Sequence, residues 1–246
     1  MNCKTIFNSK TINIFTDGSV YHTKGNPIVE GNETIGCPGA IIVFTDDNCN
    51  TTHQYYSDFI IRDATNNTTE LSAIELGLCL VTKYPNYKDY TINLFSDSQL
   101  CINSLRQWIF AWTNCMHNGV MYNSSGEPVK NQQIILSIIN LIMVRGIRVN
   151  FFHQKGHVTM NQKVLEKAHR VFKVSNNIDN VDIELIKAIS VFNDYVDIHT
   201  KISLEQFKNI ELSKVELEDA VSFNPNNFNY VMYKNLTTNK FMRGRY

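Results

Sequence analysis

Two short apolar runs constrain this chain more than any other feature: INIFT, which ends at Asp17, and TINLF, which leads to Asp97. Both are rich in β-branched and aromatic residues over the length of a strand, and each hands over to a carboxylate where the strand would leave its sheet. Between them, TNNTTELSAIELGL reads as a helix and carries Glu70. Strand ends and a neighbouring helix can bring these three acids to one spot. Carboxylates gathered there repel one another unless something positive joins them, and hard divalent cations with oxygen ligands are the usual partner. The pattern therefore predicts a metal before it predicts a reaction.

The remaining periodicity supplies a framework. Thr11 to Thr16, Ala40 to Thr45 and Gln54 to Ile61 read as strands, with Gly, Asn and Pro in their connections. A helix fits Thr68 to Tyr84, where Leu71, Ile74, Leu78 and Val81 recur at helical spacing before Pro85. A strand at Thr91 to Phe95, a helix opening at Ser98, a polar stretch from Thr113 to Pro128, a helix from Gln132 to Val144 and a strand from Ile147 to His153 complete the pattern. Three strands followed by alternating helix and strand predict an α/β fold, a five-stranded mixed sheet flanked by helices. At 246 residues and 43% hydrophobic composition the chain can bury a full core. No apolar stretch reaches membrane-spanning length, and MNCKTIFNSK lacks the apolar core of a signal peptide. The six cysteines are scattered without a CxxC pair, which points to a cytoplasmic or other reducing intracellular compartment rather than to a disulfide framework or a zinc site.

Net charge is zero, but its distribution is uneven. From Ser98 to Ile178 nine Lys and Arg face only Glu127 and Glu166, whereas the first 97 residues carry eleven acids against six cations. An acidic, cation-binding site beside a basic segment is what phosphodiester chemistry requires.

These residues resemble the type 1 ribonucleases H. FTDGS is similar to the family's first catalytic Asp segment, TNNTTELSA to its Glu helix with a preceding Asn pair, and FSDSQ to its third carboxylate. RQWIFAWTNCMHNG followed by GEPVKN resembles the helix pair and protruding handle, and FFHQKGHV the last strand with the loop that bears a mobile His. NDYVDIHT resembles the motif that supplies a fourth carboxylate, here Asp197. The six motifs run in the family's order over about Thr11 to Thr200.

The resemblance implies an endoribonuclease that cuts the RNA strand of RNA:DNA hybrids and leaves 5′-phosphate and 3′-hydroxyl ends. It implies two Mg²⁺, or Mn²⁺, ions about 4 Å apart, held by Asp17, Glu70, Asp97 and Asp197 with Asp17 bridging, and His157 as an accessory group. It implies minor-groove contacts from Asn66, Asn67 and Gln99, reading 2′-hydroxyls, and DNA-strand contacts from Trp108, Trp112 and Lys130. The family domain would occupy residues 1–200, with a helical insert over about 159–190, and residues 201–246 would form an extension without an assigned role. No membrane partner is expected, and nothing in the sequence names a protein partner.

The chain departs from the family pattern in four places. The handle WTNCMHNGVMYNSSGEPVKN lacks the usual Lys and Arg cluster, and Tyr21 to Gly36 enlarge the loop after Asp17. The insert begins with Asn161 to Val174, where Lys163, Lys167, Arg170 and Lys173 share one face and Val164, Ala168, Val171 and Phe172 another. That amphipathic helix could substitute for the missing handle charge by gripping phosphates, or it could be an ordinary solvated surface. In the extension, Leu204 to Val221 reads as helix and Phe228 to Arg245 as a hairpin. Glu75, five residues after Glu70, reads as a surface acid, and His153 as an ordinary surface or packing residue. The alternative to a hybrid-cutting enzyme is a catalytically weak or silent nucleic-acid-binding module with the same fold.

Overall fold

The structure, a computed structural model, describes residues 1–22, 34–57 and 60–208. Helix α1 (Cys3–Ile6) precedes β1 (Thr11–His22), β2 (Thr34–Thr45), β3 (Thr51–Tyr56) and the two-residue β4 (Ile61–Arg62). There follow α2 (Asn66–Val81), β5 (Thr91–Ser96), α3 (Gln99–Asn103), a π-helical turn over Ser104–Trp108, and α4 (Ile109–Asn114). The chain continues through α5 (Gln132–Arg145), β6 (Val149–His153), α6 (Gln162–Asn176) and α7 (Ile183–Lys208).

The sheet runs in the order β3-β2-β1-β5-β6, with the short β4 added against β2. β1 is antiparallel to β2 and parallel to β5, and β5 is parallel to β6, so the sheet is mixed as expected. Strand alternation sorts its side chains into two cores. Ile12, Ile14, Ile42, Leu94 and Phe151 pack with α2 and α5 on one face. Phe15, Ile41, Val43, Phe95 and Phe152 pack with α6 and α7 on the other. On that second face Phe15, Phe95 and Phe152 stack across three strands with ring centroids 4.8 and 5.0 Å apart, and Phe172 of α6 extends the row at 5.9 Å. Each such side chain contributes roughly 1.5–3 kcal/mol through burial. The polar exception is a ladder. Asn150 donates to Asn93, Asn93 to Asn13, and Asn13 to the Ile6 carbonyl, each at 3.0 Å, so these buried amides are satisfied and α1 is pinned to the sheet.

Several boundaries move. The enlarged loop after Asp17 is partly strand, because β1 continues to His22 and pairs with Thr34, which carries the hairpin well beyond the β1–β5 ladder. Residues 23–33 lie outside the described residues. β3 starts at Thr51 and ends at Tyr56, earlier than its apolar pattern suggested, because its outward residues face solvent and carry little hydrophobic signal. The segment expected as an insert contains α6 and the first turns of α7, and α7 runs unbroken through position 200 to Lys208. The rest of the helix expected to Val221, and the hairpin of Phe228 to Arg245, lie outside the described residues. All six cysteines are free thiols. Among the described residues no helix is long and apolar enough to cross a membrane.

Candidate active site

Asp17 sits one residue beyond the last β1–β5 pair, Thr16 with Ser96, and Asp97 is the first residue after β5. Asp97 therefore lies just outside the carboxyl end of β5, and Asp17, inside the longer β1, lies just past its parallel pairing with β5, the end of the ladder where open α/β sheets present ligand sites. Glu70 reaches the same point from the second turn of α2, and Gly18 explains how. A Cβ at Gly18 would stand 2.8 Å from the Glu70 backbone nitrogen and 2.8 Å from the Thr69 carbonyl carbon, so only glycine lets the helix press against the strand. Gly156, in the loop after β6, makes a second such approach, since a Cβ there would overlap the Asp97 carboxylate. The Asp-Gly of FTDGS and the Lys-Gly-His of the later loop are thus both close-approach glycines.

Oxygen atoms of Asp17, Glu70 and Asp97 all lie within 4.8 Å of one another. Asp17 and Glu70 are buried, Asp97 half-buried. Burial, and then the charges of Asp97 and Asp197, push the Asp17 carboxyl up to about 7 from its ordinary 3.8. Burial, and then Asp17 and Asp97, hold Glu70 well above the ordinary carboxylate range. Asp97 is raised by burial, with the neighbouring His157 and a hydrogen bond from Asn193 pulling the other way. One oxygen of Glu70, Oε2, is buried without any hydrogen-bond partner. Three crowded carboxyls and an orphaned acceptor fit an oxygen-ligated divalent cation of the Mg²⁺ or Mn²⁺ kind, which supplies the missing positive charge.

Asp197 arrives from the middle of α7. Its carboxylate is held by Lys201 one turn on, at 2.7 Å to either oxygen, and His157 Nδ1 stands 3.7 Å away. His157 is exposed, with its backbone in the left-handed region at φ 51°. All four acids, His157 and Lys201 line one cleft of about 430 Å³, whose far wall is Val20 and Tyr21 of the β1 extension with Leu204 and Glu205 of α7. That wall has its own small core, in which Leu204 packs with Ile35, Cys37 and Ile60 against Tyr21.

Other expected residues lie nearby or apart. Asn66 and Asn67 open α2 and Gln99 opens α3, so the three sit at the starts of the helices that carry Glu70 and follow Asp97. The Cys101 thiol reaches the Asn67 carbonyl and ties the two helix starts together. Trp108 is exposed and Trp112 half-buried, with ring centroids 5.8 Å apart, and Lys130 is exposed; none of these three lines the cleft. Glu75 is not a surface acid: it is half-buried between helices and accepts a hydrogen bond from Ser137 of α5. Sequence reasoning missed Lys201, Asn193 and Gln154. Gln154 donates to Asn193 at 2.6 Å, and Asn193 in turn bonds Asp97. Lys201 and Asn193 stand four residues after and before Asp197, so helical spacing from that acid could have found them; nothing in the sequence marks Gln154.

A family model described as RNase H matches residues 9–173. The chain belongs to the RNase H family. Its relatives include the ribonuclease HI of Haemophilus ducreyi, 28% identical over 148 residues that span 60% of this chain and 80% of the relative. The ribonuclease HI of Haemophilus influenzae is 30% identical over 154 residues, covering 60% and 79% of the two chains. Among solved structures, the PFV RNase H domain superposes with a TM-score of 0.44 at 18% identity, over 69% of this chain and 96% of that one. As an enzyme of the RNase H family the chain is a nuclease. The match to the family model ends inside α6, before Asp197.

Proposed function

We propose that this enzyme hydrolyses the RNA strand of RNA:DNA hybrids, with Asp17, Glu70, Asp97 and Asp197 holding two divalent cations, and releases 5′-phosphate and 3′-hydroxyl ends. The observation that carries the reading is the convergence of Asp17, Glu70 and Asp97, with an unpartnered Glu70 oxygen, just past the end of the parallel β1–β5 pairing. When bound, Mg²⁺ or Mn²⁺ would activate water and stabilise the charge on the leaving 3′ oxygen. The chain's own residues set the geometry. Asp17, central among the acids, is the natural shared ligand. Asn193 fixes the Asp97 carboxylate through a hydrogen bond, Gly156 keeps the loop tight against it, and His157 on that loop can take up or give up a proton beside Asp197. Asn66, Asn67 and Gln99 offer short amides to the minor groove from the rim, and Trp108, Trp112 and Lys130 offer a platform for the DNA strand. The catalytic unit spans residues 1–200, continued by α7, and six free thiols suit a reducing compartment.

The test is cleavage of an end-labelled hybrid with Mg²⁺ or Mn²⁺ by the wild type and by Asp97→Asn. The wild type should cut only the RNA strand, the variant should lose at least about 100-fold, and duplex DNA or duplex RNA should be cut poorly. An inactive wild type, or an unimpaired variant, would overturn the assignment.

A further inference from the structure

The nine-to-two excess of cations between Ser98 and Ile178 is not spent in the cleft. Arg106, one of the nine, is buried and donates to Asn176 Oδ1 at 2.9 Å and to the Ser175 carbonyl, so it is structural. The remaining concentration is on α6. Leu165, Ala168 and Phe172 are buried on one side of that helix, and Lys163, Lys167 and Arg170 are exposed on the other, with Lys173 half-buried at the edge of the row. Among the described residues no carboxylate stands within ion-pair distance of any of the four, and Glu166 on the same helix accepts from Gln162 instead.

This cationic row is rigidly tied to the catalytic end of the sheet. Asn176, at the end of α6 and 1% exposed, accepts from the His153 backbone N–H at 2.9 Å and donates to the His153 carbonyl at 2.7 Å. His153 ends β6, and its ring Nε2 lies 3.2 Å from the Asp97 carbonyl. Phe172 closes the aromatic row of the sheet from the same helix. The last turn of α6 is therefore clamped three residues before Gly156, the glycine that abuts Asp97. From Lys163 to Lys173 the row extends about 15 Å at 1.5 Å per residue, a span comparable to two or three phosphates of a nucleic-acid strand.

We propose that the outer face of α6 is a second nucleic-acid surface, which binds the sugar-phosphate backbone of the hybrid beyond the cleft and supplies the electrostatic grip that the handle lacks. The inference rests on the hydrolase reading for the identity of its polyanion. Lysine-rich helix faces also serve plain solubility, but four cations in one row, without an ion-pair partner among the described residues and on a helix locked to the catalytic strand end, form a fixed rather than a diffuse charge. Binding there would be indifferent to base sequence and would release counterions, so it carries a definite salt dependence.

The experiment uses the full chain in the Asp97→Asn background, so that the hybrid stays intact, and measures the Kd of a long hybrid against salt concentration with Mg²⁺ present. Lys167→Glu with Arg170→Glu should weaken binding roughly tenfold or more near physiological salt and lower the log–log salt slope by about two; Lys167→Gln with Arg170→Gln should show a smaller loss in the same direction. The exposed pair Lys4→Glu with Lys10→Glu makes the same change in net charge elsewhere and should cost far less. An unchanged Kd and slope in the α6 variants, or an equal loss from the Lys4 and Lys10 pair, would overturn the proposal. Failure of the wild type to cut hybrids would instead remove the functional reading on which it rests, and the two failures are read in different assays.

Discussion

Replacing Asp17 by Asn should make the metal-free protein more stable at neutral and alkaline pH while destroying its activity. Burial and the facing acids raise the Asp17 carboxyl to about 7 from 3.8. Each pH unit of such a change is worth about 1.4 kcal/mol, so the ionised folded state carries a cost of about 4 kcal/mol from this group alone. The folded protein holds the Asp17 proton more tightly than the unfolded chain does, so the favourable contribution is complete below about pH 3.8 and is lost as pH rises towards 7. In EDTA the wild-type melting temperature should therefore fall between pH 5 and pH 8, a range in which Asp17→Asn is flatter. At about 2–4 °C per kcal/mol for a chain of this size, the variant should melt roughly 10 °C higher at pH 8. Adding Mg²⁺ should restore much of the wild-type deficit and do little for the variant, because the cation replaces the proton as the neutralising charge. Circular-dichroism melts at pH 5, 6.5 and 8, with and without Mg²⁺, decide the matter. If the two proteins keep the same melting temperature at pH 8 in EDTA, the electrostatic account of the cluster is wrong.

Gly156→Ala should lower kcat roughly tenfold or more and weaken Mn²⁺ binding, since its Cβ would displace the Asp97 carboxylate; metal titration alongside the cleavage assay checks both. Asn176→Leu leaves the His153 backbone groups and Arg106 without their buried partner, and urea unfolding should show a loss of about 3 kcal/mol or more. Lys201→Met removes the cation that caps both Asp197 oxygens, and should tighten the weaker step of Mn²⁺ binding to the free protein several-fold, as read by electron paramagnetic resonance; an identical isotherm would show that Lys201 does not compete with a cation.

The sheet and three of the acids were legible because their signals are local. β-branched runs such as INIFT and TINLF declare strands, and the acids that follow them fall where the parallel β1–β5 pairing ends, although β1 itself runs on past Asp17 instead of leaving the sheet there. What escaped depends on the approach of segments distant in sequence. The continuation of β1 to His22 needs Thr34 to Gly36 as its partners, and no periodicity within Val20 to His22 announces them. Glu75 was misjudged because its spacing from Glu70 places it off that acid's face, yet α5 brings Ser137 to meet it there. The outer residues of β3 face solvent, so the strand carried half a pattern. Lys201 was in view four residues beyond Asp197, and only the assumption that the domain closes at about residue 200 hid it.

The arrangement of the four acids also explains why Asp197 stands apart from the others. Gly18 removes the Cβ that would otherwise hold α2 off β1, and Gly156 the Cβ that would meet the Asp97 carboxylate, so Asp17, Glu70 and Asp97 are brought together by close packing of the chain. Their repulsion is then imposed by the fold and is relieved by protons or by a cation. Asp197 comes from a helix that crosses the opposite face of the sheet, and it meets Lys201 and His157 before it meets the cluster. Three carboxylates are thus set in place by packing, and the fourth is held by an ion pair with Lys201. On the proposed two-cation reading, a cation among the first three would meet a site set by packing, whereas a second would compete with Lys201 for Asp197. The two positions should consequently differ in affinity, with the substrate's own phosphate oxygens completing the weaker one.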